Sequence, residues 1–162
     1  MFARNFYSAL YDPDRQMINF PYYVDEVDED IPDPNQWDRL GLGEARGLTA
    51  YVLRTEKLLH CSAARQAELL RQGEIQDIGA PSVDWLGVPL KTAGRAIGAL
   101  VVQSYTRGAY YTDQDEELLN FVGQHVATAL ARARLLEDTR QRNAELAIIN
   151  SVSAGLVKEL EF

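Results

Sequence analysis

Apolar and polar positions along this chain follow different periods in different stretches. Two aromatic-rich runs open it, "NFYSALYD" (Asn5 to Asp12) and "MINFPYYVD" (Met17 to Asp25), joined at hairpin distance through Asp12-Pro13-Asp14. Proline presets φ for a turn, and aspartate can bond its own backbone, so the pair predicts a β-hairpin. Pro21 has no N–H to give to a ladder, which places the second strand at an edge or at a bulge. Further on, Val83–Leu90 and Ala96–Tyr105 flank "KTAGR", a five-residue connection with a glycine. This predicts a second hairpin. Its "AIGALVV" is almost continuously apolar, as in a central strand covered on both faces.

Helical spacing fills the intervals. "LTAYVLRTEK" (Leu48 to Lys57) and "AARQAELLRQ" (Ala63 to Gln72) predict two short helices, with "LLHCS" as a short strand between them. Thr112 followed by Asp115 then predicts the capped start of a long helix, and Asp113, Glu116 and Glu117 add negative charge at its positive end. No proline interrupts the following forty-odd residues. A helix of about 40 residues is about 60 Å long, whereas a domain of about 100 residues has a radius of gyration near 13 Å. Roughly half of the helix is therefore expected to leave its domain.

The pattern changes along that helix. Leu118, Leu119, Phe121, Val122, Val126, Ala127, Ala129 and Leu130 form a wide apolar face, expected to pack on a sheet. From Leu135 the stripe narrows to 135, 139, 142, 146, 149, 153 and 156. A period of 3.5 residues is a coiled-coil seam. Leu135, Leu146, Ile149 and Leu156 are its apolar members; Thr139, Arg142 and Ser153 weaken it. A weak seam suits signalling, because its arrangement can lie within a few kcal/mol of an alternative.

Composition narrows the function classes. The 162 residues fit one domain with an extension, and 46% hydrophobic content supplies a core. A net charge of −8 argues against phosphate-backbone binding, so no nucleic-acid partner is expected. No apolar run reaches the roughly 18–20 residues of a membrane span, and no membrane contact is expected. The single cysteine, Cys61, forms no internal disulfide, which favours a reducing compartment and a cytoplasmic location.

Candidate chemistry is sparse. "DEVDEDIPDP" concentrates carboxylates between Asp25 and Asp33 but lacks the spacing of a calcium loop and reads as a solvated loop. The glycines of "LGLGEARG" lack phosphate-loop spacing. Cys61 as a nucleophile would need a base, and a strand turns adjacent His60 to the opposite face. His125 reads as a helix-interface residue. No triad, zinc spacing or kinase motif is present, so an enzyme is not expected, and no cofactor is named by the sequence.

As a combination, "NFYSALYD", "GLTAYVLRTEKLL", "DWLGVPLKTAGRAIGALVV" and "YTDQDEELLNFVGQHVATAL" resemble a GAF domain, the ligand-sensing module of bacterial signalling proteins, over roughly residues 3–135. The resemblance implies an α+β fold: a PAS-like antiparallel sheet of five or six strands with its first and last strands adjacent at the centre. Terminal helices would cover one face, a ligand pocket would occupy the other, and a long C-terminal helix would follow. It also implies a division into a sensory domain at 1–134, lacking the family's usual N-terminal helix, and a signalling linker at 135–162 that leads to a further domain.

Specific chemistries of that family do not carry over. Ser104 and Tyr105 stand where cyclic-nucleotide-binding members have Asn-Lys, His60-Cys61 reverses the order of bilin-binding members, and sulfoxide-reducing members need several cysteines. Phe20, Tyr22, Trp37, Tyr51 and Trp85 come from segments that would surround the pocket. The expected partners are a second copy paired through the C-terminal helix, a small-molecule ligand, and a covalently linked output domain such as a kinase or cyclase. Three readings follow: a ligand sensor relaying through the helix, a ligand-free dimerisation spacer, and a redox catalyst using Cys61.

Overall fold

A computed structural model describes the backbone of residues 1–160, and side chains through residue 156. Its elements run β1 (Asn5–Asp12), β2 (Met17–Val24), β3 (Asp38–Arg39), α1 (Leu48–Thr55), β4 (Leu59–Ser62), α2 (Ala63–Arg71), β5 (Asp84–Thr92), β6 (Arg95–Ser104) and α3 (Asp113–Leu160). The six strands form one antiparallel sheet in the order β3-β2-β1-β6-β5-β4. The first and last strands are neighbours at its centre, as expected.

The opening hairpin carries a bulge. Ser8 pairs with Tyr22 and Leu10 with Asn19, so Phe20 and Pro21 together oppose Ala9. The proline sits where no ladder bond is required of it. The second hairpin is tighter than its sequence suggested. Pairing continues to Thr92↔Arg95, leaving Ala93 and Gly94 as a two-residue turn with φ of 49° and 77°. Two successive positive φ values are the type I′ geometry that matches strand twist. The five-residue connection thus contracts to two, with the surplus absorbed by an irregularity at Leu90/Lys91.

β6 is buried along nearly its whole length, consistent with cover on both faces. On one face Tyr7, Ala9, Tyr11, Trp85, Ala99 and Val101 form a core with Val52 and Leu53 of α1, Cys61 of β4 and Leu69 of α2. α1 ends at Glu56 in the left-handed region (φ 57°), where the Glu56 amide donates to Val52 O and its carboxylate accepts the Ala96 amide at 2.9 Å. The helix end is thereby fixed to the central hairpin.

The start of α3 lies on the other face. Its capping box is formed: Asp115 Oδ2 accepts the Thr112 amide at 2.9 Å, and Thr112 Oγ1 accepts the Asp115 amide at 3.4 Å. Among its described side chains the stripe Leu119, Gly123, Ala127 is buried, and a Cβ at Gly123 would stand 3.1 Å from Val88 Cγ2. Leu118, Phe121 and Val122, expected to pack on the sheet, are exposed. One helix on a sheet buries positions four apart, and the rest of a wide apolar face turns outward.

The chain divides into two compact units, the second beginning at Thr128. Within the second, every side chain from 132 to 156 is exposed, including Leu135, Leu146, Ile149 and Leu156. No described helix is long and apolar enough to cross a membrane.

Candidate functional site

The bulge in β2 determines which aromatic rings meet. Strand residues two apart share a face, which would pair Phe20 with Tyr22. An extra residue inverts that parity, so Phe20 and Tyr23 share the inner face instead. Tyr7 of β1, directly opposite Tyr23, stacks on it with ring centroids 5.0 Å apart, and Phe20 meets Tyr7 edge-on at 5.9 Å. Beside them, on β5, the Trp85 indole lies flat over Gly87. A Cβ on Gly87 would come within 2.3 Å of the ring, so only glycine leaves room for it.

These four rings wall one side of a cavity of about 220 Å³. Leu48 and Thr49 from the first turn of α1 and Gln66 from α2 form a second side. Gln103 and Tyr105, at and just beyond the end of β6, close a third. Two loops complete the enclosure: one brings Asp28 and Pro32, the other Gln76, Gly79 and Ser82. Gly79 (φ 82°) would place a Cβ 3.6 Å from Asp28 Oδ2, so the loops approach each other there.

The polar groups around the cavity are organised by Asp25. Its Oδ1 accepts the amides of Val27 (2.9 Å) and Asp28 (2.8 Å). Its Oδ2 accepts Gln103 Nε2 at 2.5 Å and the Tyr105 hydroxyl at 3.1 Å. One carboxylate thus shapes the acidic loop and ties it to β6. The Tyr7 hydroxyl pairs with Thr49 Oγ1 at 2.9 Å; burial, aided by the Asp25 charge, pushes Tyr7 up to about 12. Tyr23 and Tyr105 are also raised, by burial first and then by neighbouring negative groups. All three are neutral phenols at physiological pH.

Of the residues nominated by sequence, Phe20 and Trp85 line this cavity and the other three do not. Tyr22 is exposed on the opposite face of β2, its ring 5.7 Å from Phe6. Trp37 is exposed in the loop before β3. Tyr51 packs against the core from α1, with the Arg54 guanidinium 5.5 Å from its ring centroid. Tyr7, Tyr23, Asp28, Gln103 and Tyr105 were not nominated. Pro21 was the one sequence signal for the bulge that selects Tyr23.

The back of the same sheet carries a second polar constellation. His60 Nδ1 lies 2.7 Å from Glu116 Oε1 of α3, and Nε2 lies 2.9 Å from Asp84 Oδ2 of β5. Asp84 is 1% exposed and also accepts the Tyr111 amide at 2.7 Å. Burial disfavours the charged imidazole, but the hydrogen bonds and charges of Asp84 and Glu116 prevail and raise its pKa. Cys61 faces the opposite way into the core, where burial pushes its thiol up to about 11. That environment suppresses the thiolate. His125 is exposed and meets Phe121 edge-on, with ring centroids 4.4 Å apart. Among the described residues no group of three or more His, Cys, Asp or Glu is placed to hold a metal ion.

No curated protein matches the chain significantly by sequence. Solved structures share its fold. The GAF domain of a phosphoenolpyruvate-protein phosphotransferase from Coxiella burnetii superposes with a TM-score of 0.63 at 16% identity, over 84% of this chain and 76% of that one. The GAF domain of a two-component sensor histidine kinase from Bacillus halodurans gives 0.58 at 12% identity, over 85% and 87%. A free methionine-R-sulfoxide reductase from Neisseria meningitidis, solved with its substrate, gives 0.59 at 13% identity, over 83% and 71%. The GAF domain profile matches residues 3–131. That match spans the sheet, the cavity and the first turns of α3, and the chain belongs to the GAF domain family.

Proposed function

We propose that this chain is a sensory domain of a multidomain bacterial signalling protein, which binds a small ligand in the aromatic cavity and relays occupancy through a dimeric C-terminal helix. One relationship carries the reading. Trp85 and Asp84 are adjacent on β5 and face opposite sides of the sheet. Trp85 walls the cavity, and Asp84 holds His60, which in turn holds Glu116 in the opening turns of α3. A ligand that shifts the indole strains the strand anchoring α3. Because packed elements adopt discrete arrangements, a small displacement there can bias the helix.

Residues 1–134 act as the sensor in this reading and 135–162 as the linker to an output domain such as a kinase or cyclase. The neighbours from a sensor histidine kinase and a phosphoenolpyruvate-protein phosphotransferase support that arrangement. Leu135, Leu146, Ile149 and Leu156, all exposed, form the pairing seam with a second copy. The Thr139 hydroxyl bonds to Leu135 O within its own helix at 2.8 Å, so it can enter such a seam without an unmet donor. No catalytic step is assigned to Cys61, whose thiol is buried and neutral. We place the protein in the cytoplasm.

Native mass spectrometry of the freshly purified chain tests this reading. A dimer carrying a non-covalent adduct is expected. A bare dimer would favour a ligand-free spacer, and a bare monomer would overturn the relay in this chain.

A further inference from the structure

The cavity is chemically one-sided. Among the sixteen residues that line it, Asp28 is the one charged side chain; no lysine, arginine or histidine reaches it. Asp25 is bonded to three lining residues, Asp28 (through its amide), Gln103 and Tyr105, and neither carboxylate enters an ion pair among the described residues. Asp25 is saturated by four donors, whereas Asp28 receives a 3.4 Å contact from the Asp30 amide to Oδ1 and a hydrogen bond from the Tyr23 side chain. An ionised carboxyl offers about four acceptor positions, so about two of those on Asp28 stay open to a ligand.

The β6 side adds to this bias. Tyr105 donates its one hydroxyl proton to Asp25 and keeps lone pairs. Gln103 turns its amide nitrogen to Asp25 and keeps its carbonyl oxygen. Acceptors therefore predominate around Asp28, Gln103 and Tyr105, and the four rings of Tyr7, Phe20, Tyr23 and Trp85 line the same cavity. An anion placed there would meet a carboxylate in a partly desolvated site with no compensating cation, which is strongly unfavourable. A cation would find charge-assisted hydrogen bonds and ring quadrupoles. At about 220 Å³ the space also lies below the roughly 300–1,000 Å³ usual for drug-sized ligands, so the occupant is small.

We infer that the cavity takes a small organic cation rich in N–H donors, a protonated amine or guanidine, with Asp28 as its counter-ion and Gln103 and Tyr105 as further acceptors. The inference rests on the cavity being a ligand site, and it assigns the chemical class of that ligand. The protein's net charge of −8 favours the encounter as well.

Three probes of one shape separate the alternatives: butylguanidinium (cationic), butylurea (neutral) and pentanoate (anionic), titrated calorimetrically into the full chain. Butylguanidinium is expected to bind at least about ten-fold more tightly than butylurea, as a charge-assisted hydrogen bond implies, and pentanoate not at all. Asp28→Asn is expected to remove most of that preference while leaving the melting temperature near that of the parent, because Asp28 is on a surface loop. Equal or tighter binding of butylurea or pentanoate would overturn the inference, as would an unchanged preference in D28N or no binding of any probe. A native mass spectrum distinguishes this from the wider proposal. A neutral or anionic adduct would sink the charge assignment and leave the sensory function standing, whereas a bare dimer that also binds no probe would remove both.

Discussion

His60 joins Asp84 and Glu116 at 2.9 and 2.7 Å, binding a buried carboxylate of the sheet to one on the long helix through a single ring. Both partners are acceptors when ionised, and a neutral imidazole has only one N–H to give. The doubly protonated ring satisfies both.

The first prediction concerns pH. The folded-state pKa of His60 is raised above its value of about 6.5 in an unfolded chain. Its contribution to stability is therefore fully present below about pH 6.5 and is lost as pH rises through the folded value. Thermal melts of the parent and His60→Gln between pH 5 and 9 should differ most at the acid end of that range and converge above it. A gap that widens with pH would refute the assignment.

Asp25 accepts four hydrogen bonds and links the acidic loop to β6. Asp25→Ala leaves the Gln103 amide and Tyr105 hydroxyl without their partner, and should cost about 2 kcal/mol. Urea denaturation reads the loss. Hydrogen exchange at the Val27 and Asp28 amides should accelerate beyond what the global change accounts for.

Gly87→Ala puts a methyl group into the volume of the Trp85 ring. Overpacking of this kind costs about 1–3 kcal/mol. Because the indole must move, the near-ultraviolet circular dichroism should change and probe binding in the cavity should fall together. Unchanged binding with a displaced indole would separate Trp85 from the site.

The seam is tested by Leu146→Lys and Ile149→Lys. Both side chains are exposed within the second unit, so the substitutions should leave the melting temperature of the domain unchanged. Sedimentation velocity should show self-association weakened at least ten-fold, an estimate of about 1.4 kcal/mol for burying two charges at a pairing surface. Dimerisation that persists would move the interface elsewhere, with the exposed Leu118, Phe121 and Val122 the first surface to examine.

Cys61 should react slowly with iodoacetamide at pH 7.5 in the folded protein and rapidly in urea, since burial holds its thiol near 11. Fast labelling of the native chain would restore the redox reading.

Local chemistry made much of the fold legible. The turn at Asp12, the glycine turn of the second hairpin and the Thr112–Asp115 cap are all decided by residues within a few positions, and all three formed. The site was less legible because its decisive relations are distant. Whether Tyr22 or Tyr23 faces inward depends on one bulge. Asp25 reads as one acid among many until Gln103 and Tyr105, some eighty residues away, are brought to it. Trp37 and Tyr51 have the right chemistry in roughly the right segments, but loop and helix direction send them elsewhere. The wide apolar face from Leu118 stays largely exposed for a related reason: periodicity reveals how much surface is apolar, not how much of it the same chain can cover.

The adjacency of β1 and β6 has a kinetic consequence. Asn5 pairs with Gln103, so the centre of the sheet unites segments nearly a hundred residues apart, and the opening hairpin emerges from the ribosome long before its neighbour exists. Until β6 arrives, Tyr7, Ala9 and Tyr11 belong to a lone hairpin with an open inner edge, too small to be stable in water. Closure of such a large loop slows folding and leaves that edge open to pairing with another chain. For this protein, the interval before β6 is made is when aggregation competes most strongly with folding, and when a holdase chaperone would have most effect on yield.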